Sequence, residues 1–248
     1  MKYNFANILL SGVCNLRCPY CIGHTPSLQS MPDNLNEFPL KGLDDFIAVV
    51  HRSGIRQISL TGINTDPQLY RYEPELIAYL RRRIPGVKIS LHTNGLLAIV
   101  KMDVFNLYDR ATISLPSFDP ETCRKMTGRS KVLDLAAIIQ GSRIPLKIST
   151  LITDHNMPEI STTLTRCHGL GISRMVLRKL YGETRDWDLF PSLVPIRYFA
   201  GNPVYDVRGM EVSVWDFSVS SVQCLNLFSD GSISQEYQIT RRNHDEQY

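Results

Sequence analysis

The chain has 248 residues, of which 43% are hydrophobic and 21% charged, and a formal net charge of only +3. This is the balance of an ordinary globular protein long enough to bury a sizeable core. It excludes a nucleic-acid footprint at the level of composition, and no apolar run is long enough to span a membrane.

The first ten residues contain too short an apolar stretch for a secretory signal and no small-residue cleavage site, so a cytoplasmic location is expected. Residues 7–12 read as a first strand that ends just before a cysteine cluster. The apolar spacing predicts a helix over 43–52, closed by Gly54, then a strand at 57–61. A helix over 73–83 is stopped by Pro85 and Gly86, and strands follow at 87–92 and 111–115. A helix at 132–140, a strand at 146–151, a helix at 158–168 and a strand at 174–177 complete the series. Six strands alternating with helices predict a parallel sheet with right-handed crossovers. The expected class is α/β, a partial (β/α)6 TIM-type barrel over residues 1–182.

The texture changes after Gly182, where Pro191, Pro195 and Pro203 punctuate a loop-rich stretch. Short alternating strands are expected at 204–207, 211–217, 222–228 and 232–239, with a hairpin turn at 229–232. These define a small β-rich C-terminal extension over 183–248, expected to cover the barrel mouth. The polar tail from Arg241 is expected to fray.

Three of the six cysteines fall within eight residues: Cys14, Cys18 and Cys21, in a CxxxCxxC spacing. Clustered cysteines in a cytoplasmic chain point to metal more often than to disulfides. Three thiolates fill three corners of a cubane iron–sulfur cluster and leave one iron open to a further ligand. The other reading is structural zinc, which favours a second CxxC pair, and the chain has none.

On these residues the sequence resembles the radical SAM superfamily, in particular the branch containing the molybdenum-cofactor cyclase and peptide-modifying enzymes. The resemblance covers roughly residues 5–180. It implies that Cys14, Cys18 and Cys21 hold a [4Fe-4S] cluster whose open iron is chelated by S-adenosylmethionine (SAM). A one-electron donor such as flavodoxin or ferredoxin then reduces the cluster, and SAM is cleaved to a 5′-deoxyadenosyl radical. Tyr20 matches the aromatic position beside the adenine, or it caps the core as a loop aromatic. The turn that receives the SAM amino group matches Thr61, Gly62, Asn64 and Asp66, with Thr61 replacing a glycine and Asn64 near the family's Glu position. Asp66 either restores that missing charge or, before Pro67, starts the next helix.

Asn94, followed by Gly95, is either a cofactor contact or an ordinary turn residue. Ser114 and Ser149 match polar positions around the SAM ribose and methionine, unless they only bond backbone. Arg178 reaches the SAM carboxylate or an anionic substrate, or is a solvated loop residue. His24 could line the pocket, although a loop histidine is usually solvated.

Cys224 lies on a predicted strand; if that strand closes over the mouth, its thiol could return a hydrogen atom to a substrate radical, and otherwise it packs as a small hydrophobe. Many relatives carry further clusters in a Cys-rich extension, whereas Cys224 is the one cysteine after residue 180. The leading expectation is therefore hydrogen abstraction from a small polar metabolite (a sugar, nucleoside or aminocyclitol), giving epimerisation, rearrangement or cyclisation. The alternative is modification of a peptide or cofactor precursor. An iron–sulfur or zinc protein without catalysis is the reading from another class.

Overall fold

The computed structural model describes residues 3–235. Six parallel strands stand side by side in chain order: β1 (Phe5–Leu10), β2 (Gln57–Gly62), β3 (Lys88–Thr93), β4 (Arg110–Ser114), β5 (Leu146–Leu151) and β6 (Arg174–Arg178). The connections carry α1 (Pro26–Gln29), α2 (Leu43–Arg52), α3 (Glu73–Arg83), α4 (Met102–Phe105), α5 (Pro120–Thr127), α6 (Leu135–Gly141) and α7 (Ile160–Gly169). This is the partial (β/α)6 barrel expected, with the sheet left open rather than closed.

The outward residues of the strands are apolar. Ala6, Ile8, Ile58, Leu60, Ile89 and Leu91 are buried in one core with Phe46, Ile47 and Val50 of α2 and Leu76, Ile77 and Leu80 of α3. Burying each such aliphatic or aromatic side chain contributes roughly 1.5–3 kcal/mol. The inward residues alternate with them and are mostly polar. Asn226, Asn7, Ser59 and Ser90 stand in register across four parallel strands. Asn7 Nδ2 donates to Asn226 Oδ1 at 2.8 Å, and the Ser59 and Ser90 hydroxyls bond at 2.7 Å. A closed barrel of this type fills its lumen with branched apolar side chains; here the lumen is polar.

The C-terminal strands differ from the expected separate cover. They are β7 (Arg197–Phe199), β8 (Asn202–Val207), β9 (Met210–Trp215), β10 (Cys224–Leu227) and β11 (Ile233–Ser234), and all belong to the same eleven-stranded sheet. β9 pairs parallel with β6 and carries the antiparallel meander β9-β8-β7, whereas β10 pairs parallel with β1 at the opposite edge. Residue 182 is therefore not a break in the sheet. The end of the strand expected at 232–239, and the tail after it, lie outside the described residues.

α5 was not anticipated, although its caps are written in the sequence. Asp119 accepts from Thr122 N at 2.8 Å, Pro120 takes the first position, and Gly128 ends the helix at φ 75°. α6 starts at Leu135 rather than 132 because Asp134 is its cap, accepting from Ala137 N at 3.0 Å.

Candidate functional site

The carboxyl ends of the parallel strands open into a cleft of about 700 Å³, the end where ligands of such folds gather. The loop after β1 enters it first. Asn34 Oδ1 accepts from Ser11 N at 3.0 Å, and Asn64 Oδ1 accepts from both Ser11 Oγ and Gly12 N at 3.0 Å. These bonds tie the exit of β1 to the turn after β2. That turn requires a glycine: a Cβ at Gly62 would lie 1.7 Å from Thr65 O. Thr65 Oγ1 donates to Val13 O at 3.2 Å.

Past this clamp the loop folds on itself, with Cys21 N bonding Cys18 O at 3.1 Å and Leu16 N donating to Cys14 Sγ at 3.4 Å. Its middle is held by α5, since Arg17 N donates to Thr127 O at 2.9 Å.

Cys14, Cys18 and Cys21 all line the cleft. Burial, and after it the neighbouring thiols Cys21 and Cys14, push the Cys18 thiol up to about 12. Cys14 is also raised, first by burial, while the Leu16 N–H works against this and Asp66 and Cys21 add to it. The ionisation of Cys14 and Cys18 is thus disfavoured where the three thiols come together, and an adjacent cationic centre is what reverses that balance. Among the described residues no three His, Cys, Asp or Glu side chains converge on one mononuclear ion. The donor set suits a cluster that takes one thiolate at each of three corners.

The structure brings most of the other candidates to the same cleft: Tyr20 on the cysteine loop, Thr61, Gly62, Asn64 and Asp66 after β2, Asn94 after β3, and Ser114, Ser149 and Arg178 at the ends of β4, β5 and β6. Asp66 is 3% exposed. Its carboxylate accepts from Gln68 N at 3.0 Å, Thr93 Oγ1 at 2.9 Å and Asn94 N at 2.6 Å. It caps the short 3₁₀ turn Pro67–Leu69, and burial raises it despite those bonds. Below it, Glu73 is fully buried, pairs with Lys101 and accepts from Tyr108 OH at 2.7 Å. His24 is exposed and outside the cleft lining.

Cys224 is not brought to the cleft. It is the first residue of β10, paired with Phe5 at the start of β1. The two strands run parallel, so Cys224 sits at the floor of the barrel, away from the cysteine loop. Strand alternation gave its face but not the end of the barrel on which it lies.

Sequence reasoning missed several cleft residues. Cys123 and Met126 come from the unanticipated α5, Tyr181 from a loop without periodicity, and Phe217 from just past β9, at the end of the strand expected at 211–217. His92 opens the strand-end segment 92–95 but was given no role of its own, and Lys147, outside the cleft lining, lay in a predicted strand and carried no motif. They stand in register with Thr112 between them. Burial, then Arg178, Lys147 and Arg110, push His92 down to about 3. Burial, then Arg178, Arg174 and Arg110, lower Lys147 to about 8. Of these cations Arg178 lines the cleft, while Arg110 and Arg174 are exposed at the starts of their strands, at the other end of the sheet.

The Radical SAM superfamily matches residues 8–167 of the chain. Among curated proteins, the GTP 3′,8-cyclase of Syntrophomonas wolfei is 32% identical over 161 residues, 60% of this chain and 46% of that protein. The GTP 3′,8-cyclase of Aquifex aeolicus is 26% identical over 190 residues, 73% of this chain and 58% of that protein. The chain spans about half the length of the curated relatives it matches. Among solved structures, Streptococcus suis SuiB bound to precursor peptide SuiA superposes with a TM-score of 0.66 at 13% identity, covering 96% of this chain and 63% of that one. Native anSMEcpe with bound AdoMet gives 0.52 at 16% identity, covering 73% of this chain and 54% of that one. At these identities the structural likeness shows the fold alone.

Proposed function

Because this chain belongs to the radical SAM superfamily, and is therefore an enzyme whose cofactors are a [4Fe-4S] cluster and SAM, we propose that it modifies an anionic cofactor precursor of the nucleotide class named in its curated relatives. Bound together and reduced by one electron, the two cofactors supply a 5′-deoxyadenosyl radical. Cys14, Cys18 and Cys21 would hold the cluster. Tyr20, Asn94, Ser114 and Ser149 would line the SAM side of the cleft, and Thr61, Gly62, Asn64 and Asp66 would shape its turn. A flavodoxin or ferredoxin in the cytoplasm would deliver the electron.

The observation that carries the anionic substrate is the lumen. His92 and Arg178 line the cleft, and Lys147 stands in register with His92 through Thr112. Such a set favours a phosphate or carboxylate group that reaches below the strand ends. The relatives support a cofactor precursor or a peptide over the sugar, nucleoside or aminocyclitol of specialised metabolism expected from the sequence.

A peptide substrate is the second reading. β7 is an edge strand with Tyr198 and Phe199 exposed. From Phe199 the rings of Trp215, Phe217 and Tyr181 follow at centroid spacings of 6.1–6.3 Å, and the last two line the cleft.

The test is anaerobic reconstitution with iron and sulfide, followed by SAM and dithionite, with 5′-deoxyadenosine as readout. Purine nucleoside triphosphates should accelerate its formation in the wild type and much less in Lys147→Met. Acceleration by peptides alone would favour the second reading. No 5′-deoxyadenosine from a fully loaded protein would overturn both.

A further inference from the structure

Asp66 fixes the corner at the end of β3 through Thr93 Oγ1 and Asn94 N. From that corner Asn94 Nδ2 donates to Asn15 Oδ1 at 2.7 Å, across 79 residues of chain. Asn15 is the neighbour of Cys14, whose Sγ lies 3.6 Å from the same carboxamide oxygen and accepts the Leu16 N–H at 3.4 Å. Hydrogen bonds thus run from a buried carboxylate through Asn94 to the side chain of Asn15, the residue beside Cys14. Asp66 holds the backbone of Asn94, and the Asn94 side chain in turn holds that of Asn15.

We propose that Asp66, Asn94 and Asn15 are positioning residues for Cys14, which hold the turn at 14–16 with the Leu16 N–H aimed at the sulfur and so set the reduction potential of the cluster bound there. The inference rests on the reading that Cys14, Cys18 and Cys21 carry a [4Fe-4S] cluster. Its physical basis is charge. An N–H donated to a ligand sulfur stabilises the more negative, reduced cluster and raises its potential. A buried anion close by opposes the extra electron and lowers it. Asp66 is buried and is tied through Thr93 and Asn94 to Asn15, the side chain beside Cys14. The two ends of the path therefore act in opposite senses.

The experiment is an EPR-monitored redox titration of the reconstituted protein without SAM, with iron content measured alongside. Asn15→Ala should keep its iron and shift the midpoint potential to more negative values. Asn94→Ala should reproduce that shift, and the double variant should go no further than either single one. Asp66→Asn keeps an oxygen acceptor but loses the charge, so its potential should move the other way. General loosening of the loop would move all variants in the same direction, and that result would overturn the proposal. So would an unchanged potential in fully loaded Asn15→Ala and Asn94→Ala. Wild type that binds no cluster would sink the cluster reading and the relay with it, whereas loaded wild type with unmoved variants would sink the relay alone.

Discussion

The backbone N–H of Arg17 donates to the carbonyl of Thr127 at 2.9 Å, so the middle of the cysteine loop hangs on the end of α5. The contact is close because the next residue, Gly128, adopts φ +75° and has no side chain to press on Arg17. A Cβ there would meet Arg17 Cβ at 3.1 Å and Arg17 O at 3.2 Å.

Gly128→Ala should therefore displace the loop while sparing the core. The left-handed backbone adds roughly 1 kcal/mol of strain to the crowding. The expected result is near-normal far-UV circular dichroism with lower iron content after reconstitution. Full iron loading would show that α5 does not support the loop.

Each of Cys14, Cys18 and Cys21 should be necessary for the cluster, since three ligands leave no redundancy. Replacing any one with Ala should abolish the visible charge-transfer absorbance and most of the bound iron. Cys224→Ala should leave the iron content and 5′-deoxyadenosine yield unchanged, because Cys224 lies at the floor of the barrel. Full iron in the triple Ala variant would refute the assignment.

Glu73 has no exposure and depends on Lys101 and Tyr108. Lys101→Met leaves a buried carboxylate without its cation, a change that costs about 3–5 kcal/mol. Chemical denaturation should show a loss of this order at neutral pH. Adding Glu73→Gln removes the uncompensated charge, so the double variant should recover most of the loss. A double variant no more stable than Lys101→Met alone would contradict this.

Lys147 is lowered from 10.5 to about 8 in the lumen. As pH falls from 10.5 to 8 the unfolded chain gains a proton that the folded chain resists, so folding loses stability across that window. Below pH 8 the whole cost is present, roughly 3 kcal/mol. Lys147→Met should accordingly be more stable than wild type at pH 7, with the difference shrinking as pH rises from 8 to 10.5. The same variant should respond less to anionic substrates. Equal melting temperatures across the whole range would show that Lys147 is not desolvated.

The strand–helix alternation and the CxxxCxxC loop were legible because both are local: one is a hydrophobic period, the other a spacing. Gly62 and Asn64 were legible as a turn, but the bond from Asn64 to Ser11 and Gly12 joins residues more than 50 positions apart, which no local pattern carries. α5 was legible in principle through Asp119, Pro120 and Gly128, yet its short apolar face did not show as a period. The alignment of His92 with Lys147 was hidden for another reason. His92 and Lys147 sit on different strands, and only the parallel register, through Thr112, puts them in line. Cys224 was misplaced because alternation fixes a face, while the direction of β10 relative to β1 depends on pairing across the whole chain.

That pairing governs when the site can exist. β1 is synthesised first, and Asn7 waits for Asn226, 219 residues later. At the usual 5–20 residues per second the interval is on the order of ten to forty seconds. Through all of it the strand that launches the cysteine loop remains a bare sheet edge, open to wrong partners. A lattice of such distant contacts also closes slowly. The strand that launches the cysteine loop is flanked on both sides only once β10 has been made.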